Sequence, residues 1–132
     1  MTGILDELPT ESEIVEGKAY DSIVTARVWL QKEHPFFSWL TMALNLIETE
    51  KIPTAAVDNK GNLYYNPKFV TSLTREQVKT LLAHEALHVA LLHIQRDGER
   101  DPMISNIAAD IIVNNMLVNN GFEFSGLLRK GI

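Results

Sequence analysis

The chain has 132 residues, 45% of them hydrophobic and 22% charged, with 7 Gly, 5 Pro and no Cys; this predicts one globular domain whose core needs no covalent staple. The absence of cysteine excludes a disulfide framework, a thiolate zinc site and a Cys nucleophile, so any metal must be held by His and carboxylates. Twelve Lys and Arg against 17 Asp and Glu give a net charge of −5, and the basic residues are dispersed, which argues against nucleic acid as a partner. No apolar run approaches the roughly 20 residues of a membrane span, and Met1 to Glu16 is acidic rather than basic and then apolar, so the expectation is a cytoplasmic chain with no membrane partner.

Residues 1–16 read as a loosely attached acidic arm. From Lys18 to Glu33, Ala19, Ile23, Ala26 and Leu30 recur at the spacing of one helix face. Pro35 stops that helix and opens a second, running through Phe36, Leu40, Ala43, Leu44 and Ile47 to about Glu50. Two short runs, Thr54 to Val57 and Asn62 to Tyr65, flank Asp58-Asn59-Lys60-Gly61 and predict a hairpin, ended by Asn66-Pro67. Thr74-Arg75-Glu76-Gln77 is a capping box with Leu73 and Val78 as its hydrophobic staple, so a third helix runs from Arg75 to about Gln95, with Gly98 placed to end it. A fourth begins near Asp101-Pro102 and stops at Asn119-Asn120-Gly121. The order predicts an α+β class, mainly helical with a small hairpin or sheet.

His84-Glu85-Ala86-Leu87-His88 lies inside the third helix. Residues four apart on a helix point the same way about 5–6 Å apart, so two imidazoles can meet one ion, while Glu85 is left free to act on water bound there. Glu85 also falls in the middle of the apolar stripe Val78, Leu81, Leu82, Val89 and Leu92, where a carboxylate is costly without a partner. A buried salt bridge to Arg or Lys would satisfy it; a metal site explains both His and the Glu together.

A catalytic zinc takes three protein ligands and keeps one position open. His93 and Asp110 are the candidates for the third. An unbroken helix turns His93 about 140° away from His88, leaving it a polar contact near the helix end unless a turn begins at Leu91. Asp110 is an acid in a segment apolar on nearly every side, on one face with Met103, Ile107, Asn114 and Leu117. Coordination from this second helix satisfies it, with Asn114 orienting a ligand imidazole; pairing with Arg96 or Arg100 is the competing account.

The run from His84 to His93, then Arg96, then Asn106-Ile107-Ala108-Ala109-Asp110 with Asn114, resembles the metallopeptidase domain that precedes a von Willebrand factor A-like domain in bacterial and phage proteins. Pro53 to Asp58 and Tyr65-Asn66-Pro67 extend the similarity, which covers about residues 20–121. The resemblance implies a zincin-like fold, in which the active-site helix lies beneath a small sheet whose edge strand receives an extended peptide. Ala55 to Val57 or Leu63 to Tyr65 would then supply that edge. Better-known zincins with a second-helix ligand carry E-x-x-x-D where this chain has Asp110-x-x-x-Asn114; Asp is one methylene shorter and demands a closer approach of the helices. The A-like domain is absent, and Phe124 to Ile132 has no terminal look, so the expectation is a single domain, residues 1–132, that forms the front part of a longer protein or meets an A-like partner.

These readings combine into a zinc-dependent peptidase acting on a peptide or protein substrate, with Zn²⁺ on His84, His88 and Asp110 and Glu85 as general base. Tyr64 and Tyr65 are candidates for an oxyanion donor, but an aromatic on a half-buried strand usually packs, so neither joins the catalytic set. The alternative is a catalytically inactive binding or scaffold module in which the ion only ties the third and fourth helices together.

Overall fold

The computed structural model describes residues 11–95, 102–122 and 124, with the side chains of 11–16, 92–95 and 102–108 outside that description. In chain order the elements are α1 (Glu11–Glu33), α2 (Pro35–Met42), β1 (Asn45–Glu48), β2 (Ala55–Val57), β3 (Asn62–Tyr65), α3 (Pro67–Thr71), α4 (Arg75–Gln95) and α5 (Pro102–Asn119). The class is α+β, with helices around one small three-stranded sheet. None of the described helices is long and apolar enough to cross a membrane.

The expected face of α1 is buried in full: Ala19, Ile23, Ala26 and Leu30 pack toward α3 and α4. Burying Ile23 and Leu30 stabilises the fold by about 1.5–3 kcal/mol each. The helix starts at Glu11 rather than Lys18, so residues 11–16 are helical backbone and not part of an arm; residues 1–10 lie outside the described residues.

The second helix is shorter than its spacing suggests. It ends at Met42, and Asn45 to Glu48, expected as helix, form a strand. Ala43 and Leu44 turn their N–H groups back to the Leu40 and Thr41 carbonyls, while the Arg27 guanidinium donates to the Thr41 and Leu44 carbonyls at 3.0 and 2.9 Å. Those carbonyls, which a continuing helix would use, are satisfied from α1 instead. The freed segment then pairs in parallel with β3, from Asn45 opposite Asn62 to Glu48 opposite Tyr65.

The hairpin forms as expected, with β2 antiparallel to β3 and Ala56 opposite Tyr64. The turn is closed by Asp58, whose carboxylate accepts from the backbone N–H groups of Lys60 and Asn62, the Asn62 amide and the Tyr64 hydroxyl. Gly61 supplies the positive φ of 86° that this closure demands. The strand order is β1-β3-β2. With β3 in the centre, Leu63 to Tyr65 cannot serve as an edge; among the described residues the open edges belong to β1 and to β2, and of the strands it is β2 that packs against α4. Asn66 then caps α3, a helix absent from the expected order, by accepting from the Lys68 and Phe69 N–H groups while donating to the Ile52 carbonyl.

The start of α4 is the predicted reciprocal capping box: Gln77 N–H donates to Thr74 Oγ1 and Thr74 N–H to Gln77 Oε1. On the α1 side Lys79, only 4% exposed at its side chain, meets Glu33 at 2.6 Å and Glu76 at 2.8 Å. Burial pulls its ammonium down, but the two carboxylates outweigh that and leave its pKa above the ordinary value. Helix α5 packs on α4, with Ala109, Val113 and Leu117 buried, and the turn after its end holds Gly121, φ 85°. Phe122 N–H closes that end on the Leu117 carbonyl, and the Phe122 ring stacks on His34 at 4.4 Å.

Candidate metal centre

Helix α4 carries the three sequence-predicted groups of its motif on its inner side. His84 and Glu85 are buried within the stripe formed by Val78, Leu81 and Leu82, and His88, one turn on, is 18% exposed at its side chain. The two rings meet edge to face with centroids 4.6 Å apart, and their Nε2 atoms are separated by 3.1 Å. From α5, Asp110 reaches across to place Oδ1 2.8 Å from His88 Nε2. One ligand atom from each of the three residues lies within 4.8 Å of the others.

These separations match the size of one ion. Four-coordinate zinc with bonds of 2.0–2.2 Å holds its ligand atoms roughly 3.3 Å apart, so the two separations that involve His88 need to open by only a few tenths of an ångström. The burial is graded, with His84 at the floor and the Asp110 side chain 58% exposed. Coordination built this way is closed from below and accessible on the carboxylate side.

Electrostatics favours a cation at this point. Burial first, and then the neighbouring His88, pushes the His84 imidazole down to about 4, so the ring is neutral at physiological pH and offers a lone pair. Burial and the Asp110 charge push the Glu85 carboxyl up to about 8, and among the described residues no Lys or Arg pairs with it. A divalent cation nearby would reverse that balance. Two further atoms fit the same account. His84 Nδ1 and Asn114 Oδ1 are both buried without a hydrogen-bond partner, and Asn114 is near enough to act on the His84 ring. An amide oxygen can pair with Nδ1 only when that nitrogen carries the proton, which is the tautomer that leaves Nε2 free for a metal. The donor set is therefore two imidazoles and a carboxylate, suited to zinc and to several other divalent ions.

The structure thus brings together His84, His88, Asp110 and Asn114 and buries Glu85 beside them. His93 belongs to the backbone of α4, but its side chain lies outside the described residues, as do Arg96 and Arg100. Tyr64 donates to Asp58 at 3.0 Å and Tyr65 is in the core, so both are engaged elsewhere. One neighbour was missed: Phe124, beyond the end of α5, sets its ring edge-on to His84 at 6.3 Å. The alternation Phe122-x-Phe124 after the Gly121 stop was its only trace in the sequence.

The chain is 26% identical over 106 residues to an uncharacterized protein of Thermotoga maritima, an overlap of 76% of this chain and 27% of that protein; the chain thus spans about a quarter of its relative's length. No solved structure matches it significantly. Residues 19–127 match the family described as "Putative metallopeptidase domain", a span that includes every residue of the cluster. The chain belongs to this metallopeptidase-domain family.

Proposed function

We propose that the chain is a zinc-dependent peptidase in which His84, His88 and Asp110 hold the ion and Glu85 moves the proton. The observation that carries this reading is the convergence of His84 Nε2, His88 Nε2 and Asp110 Oδ1 from two helices, open on the Asp110 side, above a buried carboxylate with no cationic side-chain partner among the described residues. When bound, the ion supplies a Lewis acid that polarises a peptide carbonyl and acidifies water. The residues do the rest. Glu85, ionised once a cation is near, takes the proton from the attacking water on a carboxylate oxygen and hands it to the leaving amine. With the ion bound, a small closing movement would let Asn114 Oδ1 accept from His84 Nδ1–H, which would fix both the tautomer and the plane of that ring. The free edge of β2, beside α4, is the place for an extended substrate to add as a further strand through backbone hydrogen bonds.

Glu85→Gln tests the assignment. Its metal content should equal that of the unaltered protein while hydrolysis of a generic peptide substrate falls by roughly 10²–10⁴. If the variant keeps both metal and cleavage, Glu85 is not the base. If the unaltered protein binds metal yet cleaves nothing and ignores a hydroxamate, the ion is a structural tie between α4 and α5.

A further inference from the structure

We propose that the exposed apolar face formed by α1 and α2 is the docking surface for a second copy of this chain. Tyr20, Val24 and Val28 follow at four-residue spacing along the solvent side of α1, and Phe36, Trp39 and Met42 at three-residue spacing along α2, so each set forms one row. All six are exposed, Trp39 by 72% and Met42 by 64%. The rows lie side by side. Ser38 Oγ donates to the Arg27 carbonyl at 3.5 Å, and Met42 shares a groove of about 260 Å³ with Tyr20, Val24, Arg27, Val28 and Gln31. The core is built from other faces of the same helices, through Ala19, Ile23, Ala26 and Leu30 on one and Phe37 and Thr41 on the other.

The extent of the face points to an interface. Monomers rarely expose contiguous apolar patches beyond a few hundred Å². With aromatic side chains contributing roughly 150–250 Å² each when bare, the exposed parts of these six amount to on the order of 700 Å². A stable dimer of standard size buries about 800 Å² per partner, so this face with a modest polar rim suffices.

The shape selects the occupant. Trp39, 72% exposed, projects from α2 as a ridge one helical turn from Met42, which lines the groove between α2 and α1. A two-fold axis sets the ridge of each copy over the groove of the other, as an isologous contact requires. Charge does not oppose this contact. Arg27 is the one charged side chain lining the groove, and its guanidinium is already committed to the Thr41 and Leu44 carbonyls.

Sedimentation equilibrium of the full chain is the test, with Trp39→Glu and Val28→Lys as variants at exposed helix positions. The expected result is a dimer that dissociates in the micromolar range, with each variant raising the dissociation constant about tenfold or more at unchanged helical circular dichroism and metal content. Should one variant lose its helical signal, the other decides. A monomer at every concentration up to sub-millimolar, or a dimer indifferent to the folded variants, overturns the proposal and leaves the face to a different protein.

Discussion

Replacing Asp110 by Asn separates what the carboxylate does for the fold from what it does for a metal. The side chain is 58% exposed and its one described polar contact is His88 Nε2, so in metal-free protein the loss is that of a partly solvated pair, about 0.5–1 kcal/mol. For a chain of 132 residues the unfolding entropy near the midpoint is on the order of 0.28 kcal/mol/K, which makes that loss about 2–4 °C in Tm. The metal term is larger. Zinc at a thousandfold above its Kd adds about 4.1 kcal/mol to the folded state by linkage, a rise of about 15 °C. An amide keeps the shape but withdraws the anionic ligand; if affinity falls a hundredfold, the same zinc concentration adds only about 1.4 kcal/mol, or about 5 °C. Thermal melts followed by circular dichroism, with and without zinc, read both quantities. The metal-free midpoints should nearly coincide and the zinc-induced rise should shrink to about a third. An identical rise in the two proteins would show that Asp110 is not a ligand.

Other perturbations probe the frame that holds the site. Lys79 is buried, but its partners Glu33 and Glu76 are 41% and 70% exposed, so Lys79→Met strands no buried charge and should change unfolding free energy in urea by less than about 1 kcal/mol. Lys79→Ala also removes the packed stem and should cost about 2 kcal/mol; equal losses in the two variants would place the stabilisation in the ion pairs instead. Hydrogen bonds from Asn62 above all, with further ones from Lys60 and Tyr64, hold the Asp58 carboxyl at about 2, below its ordinary 3.8. A depressed folded-state value means stability that is present above the unfolded value and lost as the pH falls from about 4 to about 2. Asp58→Asn should flatten that acid limb in melts taken across the range, and an unchanged limb would assign it to other carboxylates.

The features legible in the sequence were those whose causes are local. The α1 face, the Thr74–Gln77 capping box, the Asp58–Gly61 turn and the placing of Glu85 within an apolar stripe follow from periodicity or from hydrogen bonds that span a few residues. Asp110 was legible for the opposite reason, as an acid that nothing in its own helix accounts for. What escaped depends on distant partners. Asn45 to Glu48 reads as helix until Arg27 takes the carbonyls at the end of α2 and β3 offers a ladder. The central position of β3 follows from that added strand. Phe124 meets His84 only because α5 returns the chain to α4, and no spacing rule reports such a return.

The seating of α5 on α4, with Val113 and Leu117 in the shared core, has a mechanical consequence. A rod held along a single row resists being pulled off far more than it resists being rolled, because rolling slides apolar contacts without exposing them. Asp110 sits one position round from that row, off the roll axis, so a small twist of α5 swings its carboxylate relative to the imidazoles while leaving the contact row nearly undisturbed. A captured cation would act as the pin that sets the angle of the rod.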